Sequence, residues 1–520
     1  MLNARSIQGI VILIAGTFLA VWLGLSIVTN QFETIIQVIA TLVLIGCLFL
    51  GRRIWLLIPF WGSMQLTLMI PGRPDTLLVA QCLVIGFSLL MFLARKLPFH
   101  LRFSEIEWWI ALFFLCVLQA YLRNPVGLSM FGGDQVGGRP YIIFVLALLT
   151  ALILCGMQVP ATQLRTALRL SILGGVLNFA IGLLGFIWAP FGYWFGMASG
   201  QTGAPDVQQQ AVDTSRATRI EFVRVLSKTL ALTVSSFRNP LTAMFSIRWA
   251  PLVLFSLALA AASGYRNVIA AIGLTYLVGM FYRGGIISVI ASSIAAGLGL
   301  ALLALVNLGA PLPPNIQRSL SFLPGTWDEN YVLDSKSSTE WRVEMWKEVL
   351  LTDRWIENKI FGDGLGFSAR ELALQGQMQE MKRTTAMGMS GFDAAREYVL
   401  INGDYHSGPV SAVRTIGYVG LAVMFLFQLR LAVRAHRQIQ RCRGTDWFPI
   451  ALFFGIPIIW YPVFFAFIFG GFGLDAIAIL MNAAMLRMLE NNLPLPSYSS
   501  TRRSLALPIS QANRQLPHSV

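Results

Sequence analysis

Residues 220–237, IEFVRVLSKTLALTVSSF, are the stretch on which the topology of this 520-residue chain turns. The run is apolar enough to cross a membrane but carries Arg224 and Lys228. Such charges are expensive in lipid and tolerable where they face protein or a wet cavity. A spanning helix needs about 20 mostly apolar residues. Before this stretch, such runs lie at 9–29, 34–50, 54–70, 77–94, 106–122, 140–158 and 167–189. After it they lie at 250–264, 267–282, 285–308, 409–433, 448–469 and 472–488. Arg52 and Arg53, then Arg95, Lys96 and Arg102, fall on alternate connections, as expected of cytoplasmic loops. Arg430, Arg434, Arg437, Arg441 and Arg443 crowd one later connection, which must then be cytoplasmic too. The uninterrupted runs alone cannot satisfy both ends. If 220–237 also crosses, the count is fourteen, both termini are cytoplasmic, and Arg238 and Arg248 fall inside. The alternative is that 220–237 lies at the interface and another short run divides differently.

Composition excludes a set of soluble domains. Apolar residues make up 56% of the chain and charged residues 12%, about half the ~25% of a soluble protein. Mean hydropathy is +0.65. The fold class is therefore an all-α polytopic membrane protein, and the net charge of +14 reflects basic cytoplasmic loops rather than nucleic-acid binding. Cys47, Cys82, Cys116 and Cys155 sit in apolar runs, Cys442 stands apart, and no C-x-x-C pair exists. Neither a disulfide framework nor a thiolate metal site is expected. The first apolar run does not read as a cleavable signal peptide. The chain divides into transmembrane helices over 1–308, a large loop over 309–407, further transmembrane helices over 408–490, and a Pro/Ser-rich tail over 491–520 that reads as disordered.

Under this orientation the loop 309–407 is extracytoplasmic. It holds fourteen of the twenty-five acidic residues and ten basic ones, which is soluble-domain chemistry and argues for a folded segment. Ser337–Glu340 reads as a capping box opening a helix through TEWRVEMWKEVLL. That helix places Arg342 and Trp346 on one face, with Trp341 and Met345 on a neighbouring face against the membrane domain. FGDGLGF reads as a turn, since it lacks the Lys-Ser/Thr of a phosphate loop, and 368–382 reads as a second helix. The eleven acids elsewhere lie in loops or near span ends, which weakens an ion-coupled transporter. Of four histidines only His406 faces outward, beside Asp404 and Tyr405. One histidine cannot build a metal site, and the nearby acids lack ligand spacing. Arg266, in the tight hairpin 263–267, Arg342 and Arg139 are the outward cations, suited to an anionic group or to anchoring at lipid headgroups.

The run LALAAASGYRNVIAAIGLTYLVGMFYRGG, the segment SSTEWRVEMWKEVL with IFGDGLGF, and the closing DYHSGPVSAVRTIGYVGL resemble the O-antigen ligase and O-antigen polymerase superfamily over about 250–435. The family shows an Arg between two spans, a large periplasmic loop with an Arg before a Trp, and a His just before a span. Arg266, Arg342 and His406 fall on those positions. The match departs from the pattern in the Ser after His406, the Gly-Tyr before Arg266 and the family's count nearer twelve, so about 12–14 transmembrane helices are expected. The resemblance implies a metal-independent, cofactor-free glycosyltransferase in the bacterial inner membrane. Its donor is a glycan on undecaprenyl pyrophosphate and its acceptor a lipid-A-core or other glycan. Arg266 and Arg342 would hold the pyrophosphate, His406 would act as general base or guide the acceptor hydroxyl, and Asp404, Tyr405 and Arg139 would support them. A polymerase with the same donor is the nearest alternative, a polysaccharide flippase a more distant one, and a scaffold or sensor the last.

Overall fold

The computed structural model describes residues 50–68, 74–95, 103–126, 138–188, 220–321, 325–366 and 405–493, with a few isolated positions besides. The expected spans 9–29 and 34–50, the expected helix 368–382, Asp404 and the tail beyond 493 lie outside the described residues. Fourteen α-helices are named among the described residues. They are α1 (Leu57–Met64), α2 (Thr76–Leu93), α3 (Glu105–Arg123), α4 (Arg139–Gly156), α5 (Ala161–Ile187), α6 (Glu221–Phe237) and α7 (Pro240–Ala243). There follow α8 (Ala250–Ala262), α9 (Arg266–Gly309), α10 (Pro314–Leu320), α11 (Glu329–Leu351), α12 (Gly408–Cys442), α13 (Phe448–Phe467) and α14 (Phe472–Asn492). The only extended pairings among the described residues are two isolated bridges, Thr67 with Asp75 and Phe99 with Met157. Among the described residues eight helices are long and apolar enough to cross a bilayer: α2, α3, α4, α5, α9, α12, α13 and α14. The chain is an all-α, multi-pass membrane protein.

Three features expected from the sequence differ in form. The run 54–70 becomes a 3-10 turn over Gly51–Leu56 leading into α1. It ends at Gln65, whose left-handed φ of 49° turns the chain. Leu66 and Leu68 then pair with the strand-like approach to α2, where the Thr76 amide donates to the Leu66 carbonyl at 2.7 Å. The runs 267–282 and 285–308 are the two arms of α9, divided at Gly285 by a φ of 69° and ψ of −170°. Ser292 on the second arm bonds the Met280 sulfur on the first, so the arms fold back beside each other. Third, the basic connection expected after 433 is mostly helix. α12 runs on to Cys442, so Arg434, Arg437 and Arg441 project from a rigid surface.

The helix ends gather on two faces. On one, the Ile220 amide donates to the Ser263 carbonyl at 3.2 Å, and residues 361–365 bond the C-terminal end of α3 and the first turn of α4. We call this the loop-side face. On the other, Arg430 and Arg434 pair with Glu105, Arg434 with Glu490, and Arg487 with Glu107. This is the arginine face. Helix α6 joins them. It leaves Ser263 at the loop side and ends where the carbonyls of Ser235 and Ser236 accept from Arg283, whose guanidinium lies 5.1 Å over the Phe448 ring. The stretch 220–237 therefore traverses the bundle. Its first charge is handled locally. Arg224 is ion-paired with Glu221 one turn back and donates to Gln65 Oε1 at 3.3 Å. An isolated Arg at a helix centre costs roughly 2.5–3.5 kcal/mol on insertion, and pairing near the helix end offsets much of that.

The main core lies between α3, α4, α12, α13 and α14, around Phe113, Phe427 and Phe465, all fully buried. Many large apolar side chains face outward. Ile287 on the second arm of α9 is 78% exposed and Leu298 68%, a pattern suited to lipid and costly in water.

Candidate functional site

The site is built where α11, a glycine-rich loop and the start of α12 meet. Helix α11 opens earlier than its sequence signal. The Val332 amide already donates to the Asp328 carbonyl at 3.1 Å, which puts Asp328 at the capping position. Ser337–Glu340 therefore lies inside the helix, and the expected capping box does not form. The capping position thus lies nine residues before the local signal at Ser337. The packing face is as expected. Met345 and Val349 are fully buried against Tyr405, Val410 and Val413. Trp346 donates its indole N–H to the Tyr405 carbonyl at 2.8 Å. Arg342, half-buried, stands one turn before Trp346 on the same face. The helix carrying Arg342 is thus pinned to the residue preceding His406.

His406 itself adopts a left-handed backbone, with φ at 52°. Non-glycine residues hold that conformation only where their surroundings impose it, and such residues cluster at functional sites. Its ring stacks on Phe469 with centroids 5.6 Å apart, and Nδ1 is buried while the residue as a whole stays partly open. Tyr405, expected as a supporting site residue, is wholly buried. Its contribution is to the core, and its carbonyl serves as the anchor for Trp346. Close by, Asp475 in the first turn of α14 accepts from the Tyr461 hydroxyl, and Gly470 packs between Asp475 and Gly408.

The FGDGLG segment does more than turn. Helix α12 is broken at Gly417, where φ is 72° and ψ −179°, and a broken helix leaves backbone groups unbonded. The loop supplies the partners. Tyr418 and Val419 amides donate to the Lys359 and Ile360 carbonyls, and the Arg414 and Thr415 carbonyls accept from Asp363 and Gly364. Irregular backbone at membrane depth is tolerated only when so satisfied. The loop is held from its other side by α3 and α4. Gln119 and Arg123 donate to the carbonyls of Phe361 and Gly362, Asn124 to that of Asp363, and the Leu365 amide donates to Tyr141 Oη. The Asp363 carboxylate folds the loop on itself, accepting from the Glu357 and Asn358 amides at 2.8 and 2.9 Å. Burial pushes this carboxyl above its ordinary range, opposed by those two N–H bonds and by the nearby Arg414.

At Gly417 an added Cβ would drive into the Ile360 carbonyl and the Phe361 amide. The conformation is one that only glycine adopts freely. Gly417→Ala is therefore expected to destabilise the protein by about 3 kcal/mol or more, combining backbone strain with overpacking. Thermal unfolding in detergent measures this. Gly273→Ala, where nothing lies within 4 Å of the new atom, serves as the control and should leave the transition nearly unchanged.

Arg266 is the first residue of α9 on the same loop-side face and half-buried, and α9 forms a second packing cluster with α6 and α8 through Val268, Ile272 and Tyr276. The packing described above joins Arg342 to His406, whereas Arg266 stands on a helix of this neighbouring cluster. Its guanidinium adds to the positive end of α9, and the two together favour an anion. The adjacent Asn267 has a buried side-chain oxygen with no hydrogen-bond partner among the described residues. Arg139, expected as an outward cation, is 9% exposed in the first turn of α4, so it is turned into the bundle instead of toward headgroups. Among the described residues no three His, Cys, Asp or Glu side chains come together as metal ligands would.

Sequence reading passed over Arg414. It is 6% exposed, packs against Gly403, and lies near Asp363 and Tyr141. The signal was present: an arginine at the sixth position of the apolar run 409–433 is a functional candidate by its burial cost alone. Gln119, Arg123 and Asn124 carried no such signal, because nothing in their own segments marks them as partners of a loop more than two hundred residues away, and nothing near Phe469 marks it as the partner of His406. The fold is that of a multi-pass membrane protein, and the loop-side assembly joins α11, which carries Arg342, to the segment that carries His406. No family model matches the chain, and no curated protein matches it significantly.

Proposed function

We propose that the protein is a glycosyltransferase of the O-antigen ligase kind, moving a glycan from undecaprenyl pyrophosphate to a surface acceptor at the periplasmic face of the bacterial inner membrane. The observation that carries this reading is the strained His406, stacked on Phe469 and tied through Tyr405 and Trp346 to the helix that bears Arg342. A titratable group and a cation fixed to one another beside the membrane suit transfer between a lipid-borne donor and an acceptor hydroxyl. The sequence resemblance supplies the donor class.

In this reaction the acceptor oxygen attacks the anomeric carbon of the donor glycan. The bond from that carbon to the pyrophosphate oxygen breaks, and undecaprenyl pyrophosphate leaves with the electron pair. His406 takes the hydroxyl proton or aligns the hydroxyl for attack. Arg266 and Arg342 stabilise the charge growing on the leaving pyrophosphate, where a planar guanidinium fork matches phosphate oxygens. The bilayer is both the medium and the route by which the donor arrives. A polymerase uses the same donor and steps, with a growing chain as acceptor. A flippase has less need of the interlocked loop, since moving an intact donor requires no fixed acid–base group.

The reading requires the loop side to be extracytoplasmic and the arginine face to be cytoplasmic, as the basic residues on the latter favour. A single cysteine at position 350, in a background without the native cysteines, tests this by labelling with a membrane-impermeant maleimide. Labelling of intact spheroplasts from outside is expected. Labelling only after the membrane is opened would place the site on the wrong side for a lipid-linked glycan and reject the proposal.

A further inference from the structure

The arginine face carries a feature that glycan transfer at the opposite face does not use. Glu105, Arg434, Arg437, Arg441 and Glu490 line a cavity of about 230 Å³ between α3, α12 and α14. Its charges are unequal. Glu105, Glu107 and Glu490 are shared among Arg430, Arg434 and Arg487, with Arg434 gripping Glu490 through two N–H bonds of 2.9 and 2.7 Å. Arg437 and Arg441, one turn apart on α12, are exposed and pair with no carboxylate among the described residues. Three carboxylates against five guanidinium groups leave two positive charges at the cavity uncompensated.

The surface below the cavity says what kind of anion fits. Glu105 heads a stripe on α3 continued by Trp108, Leu112 and Leu115, which are 68%, 42% and 55% exposed. On α12 the exposed Leu426, Leu429 and Val433 run toward Arg437 in the same way. The two helices are packed together, with Trp109 stacked on Phe427 at 6.1 Å. Phe103 and Trp108, exposed and 6.0 Å apart, mark the depth of the membrane interface, where aromatic side chains collect. The groove is thus apolar along its length and cationic at its head.

We infer that this groove binds an anionic phospholipid, its headgroup phosphate held by Arg437 and Arg441 and its acyl chains lying against α3 and α12. Basic pockets between membrane helices bind anionic headgroups in this way. Arg434, already neutralised by Glu490, acts as a fixed wall that presents the two open cations outward.

The test is a lipid titration of the purified, detergent-solubilised protein, read by native mass spectrometry. Dioleoyl phosphatidylglycerol is expected to bind more tightly than dioleoyl phosphatidylcholine. Arg437→Gln and Arg441→Gln should each weaken phosphatidylglycerol about fivefold and the double variant about 25-fold, from the worth of one basic residue near an anionic lipid. The double Lys variant should keep most of the binding, which separates charge from a change in folding. Equal affinity for the two lipids, or unchanged binding by the double Gln variant, would overturn the inference. Inorganic phosphate at millimolar concentration should fail to displace the lipid. Displacement by phosphate alone would assign a soluble anion and reject the lipid.

Discussion

His406→Ala is expected to lower glycan transfer by about 10²–10⁴-fold, the range typical of losing a general base, while leaving expression and membrane insertion intact. The structural ground for the second half is specific. The segment is anchored by the Tyr405 carbonyl bonded to Trp346, and by Val410 and Val413 packed on α11. None of these contacts uses the imidazole. Removing the ring forfeits its stacking on Phe469, a modest loss beside the catalytic one. His406→Gln keeps a polar group of similar reach without a base and should fail as well. The rate of the wild type should also fall as the pH is lowered and the imidazole takes up its proton. If both variants keep more than about a tenth of the wild-type rate, the histidine is not a general base.

Arg266→Lys is expected to lose most activity, by about 10²-fold, comparable with removing one donor from a site that stabilises developing negative charge. A lysine ammonium retains the charge at the start of α9 but cannot offer two parallel N–H bonds to one phosphate. Were Arg266 only an anchor for the hairpin at the interface, Lys would serve nearly as well, because both side chains reach headgroups. The comparison is made at equal protein level in the same transfer assay. Near-normal turnover by the Lys variant would remove Arg266 from the site.

Much of this was legible from residue type and spacing alone. The crossing expected of 220–237 rested on the placement of basic loops; in the structure the stretch is helix α6, running from one face of the bundle to the other with Arg224 paired internally. The packing of Met345 and the shared face of Arg342 and Trp346 followed from helical spacing. What sequence could not show is long-range satisfaction of backbone. Gly417 in a run of apolar residues gives no hint that the helix breaks there, since glycine also occurs in unbroken membrane helices. The break is stable only because residues 359–364 bond its exposed amides and carbonyls, a pairing that no local pattern encodes. The helix start at Glu329 was missed for a related reason. Ser337–Glu340 is a good local cap, but a helix already running through it has no use for one. The extension of α12 to Cys442 was hidden by its arginines, which read as a loop by charge and stand as a helix because Gln438, Ile439 and Cys442 are buried against the bundle.

The central claim is that this protein breaks the bond between a glycan and undecaprenyl pyrophosphate. It is tested most directly with the purified full-length chain in lipid nanodiscs, given a glycan-bearing undecaprenyl pyrophosphate donor together with a lipid-A-core acceptor or with donor alone. The measurement is the release of undecaprenyl pyrophosphate against time. The account predicts release, matched by glycan appearing on the acceptor or on a second donor chain, and its loss in His406→Ala. A donor that stays intact with both kinds of acceptor, or that crosses a bilayer unchanged when the same protein is placed in vesicles, would contradict it.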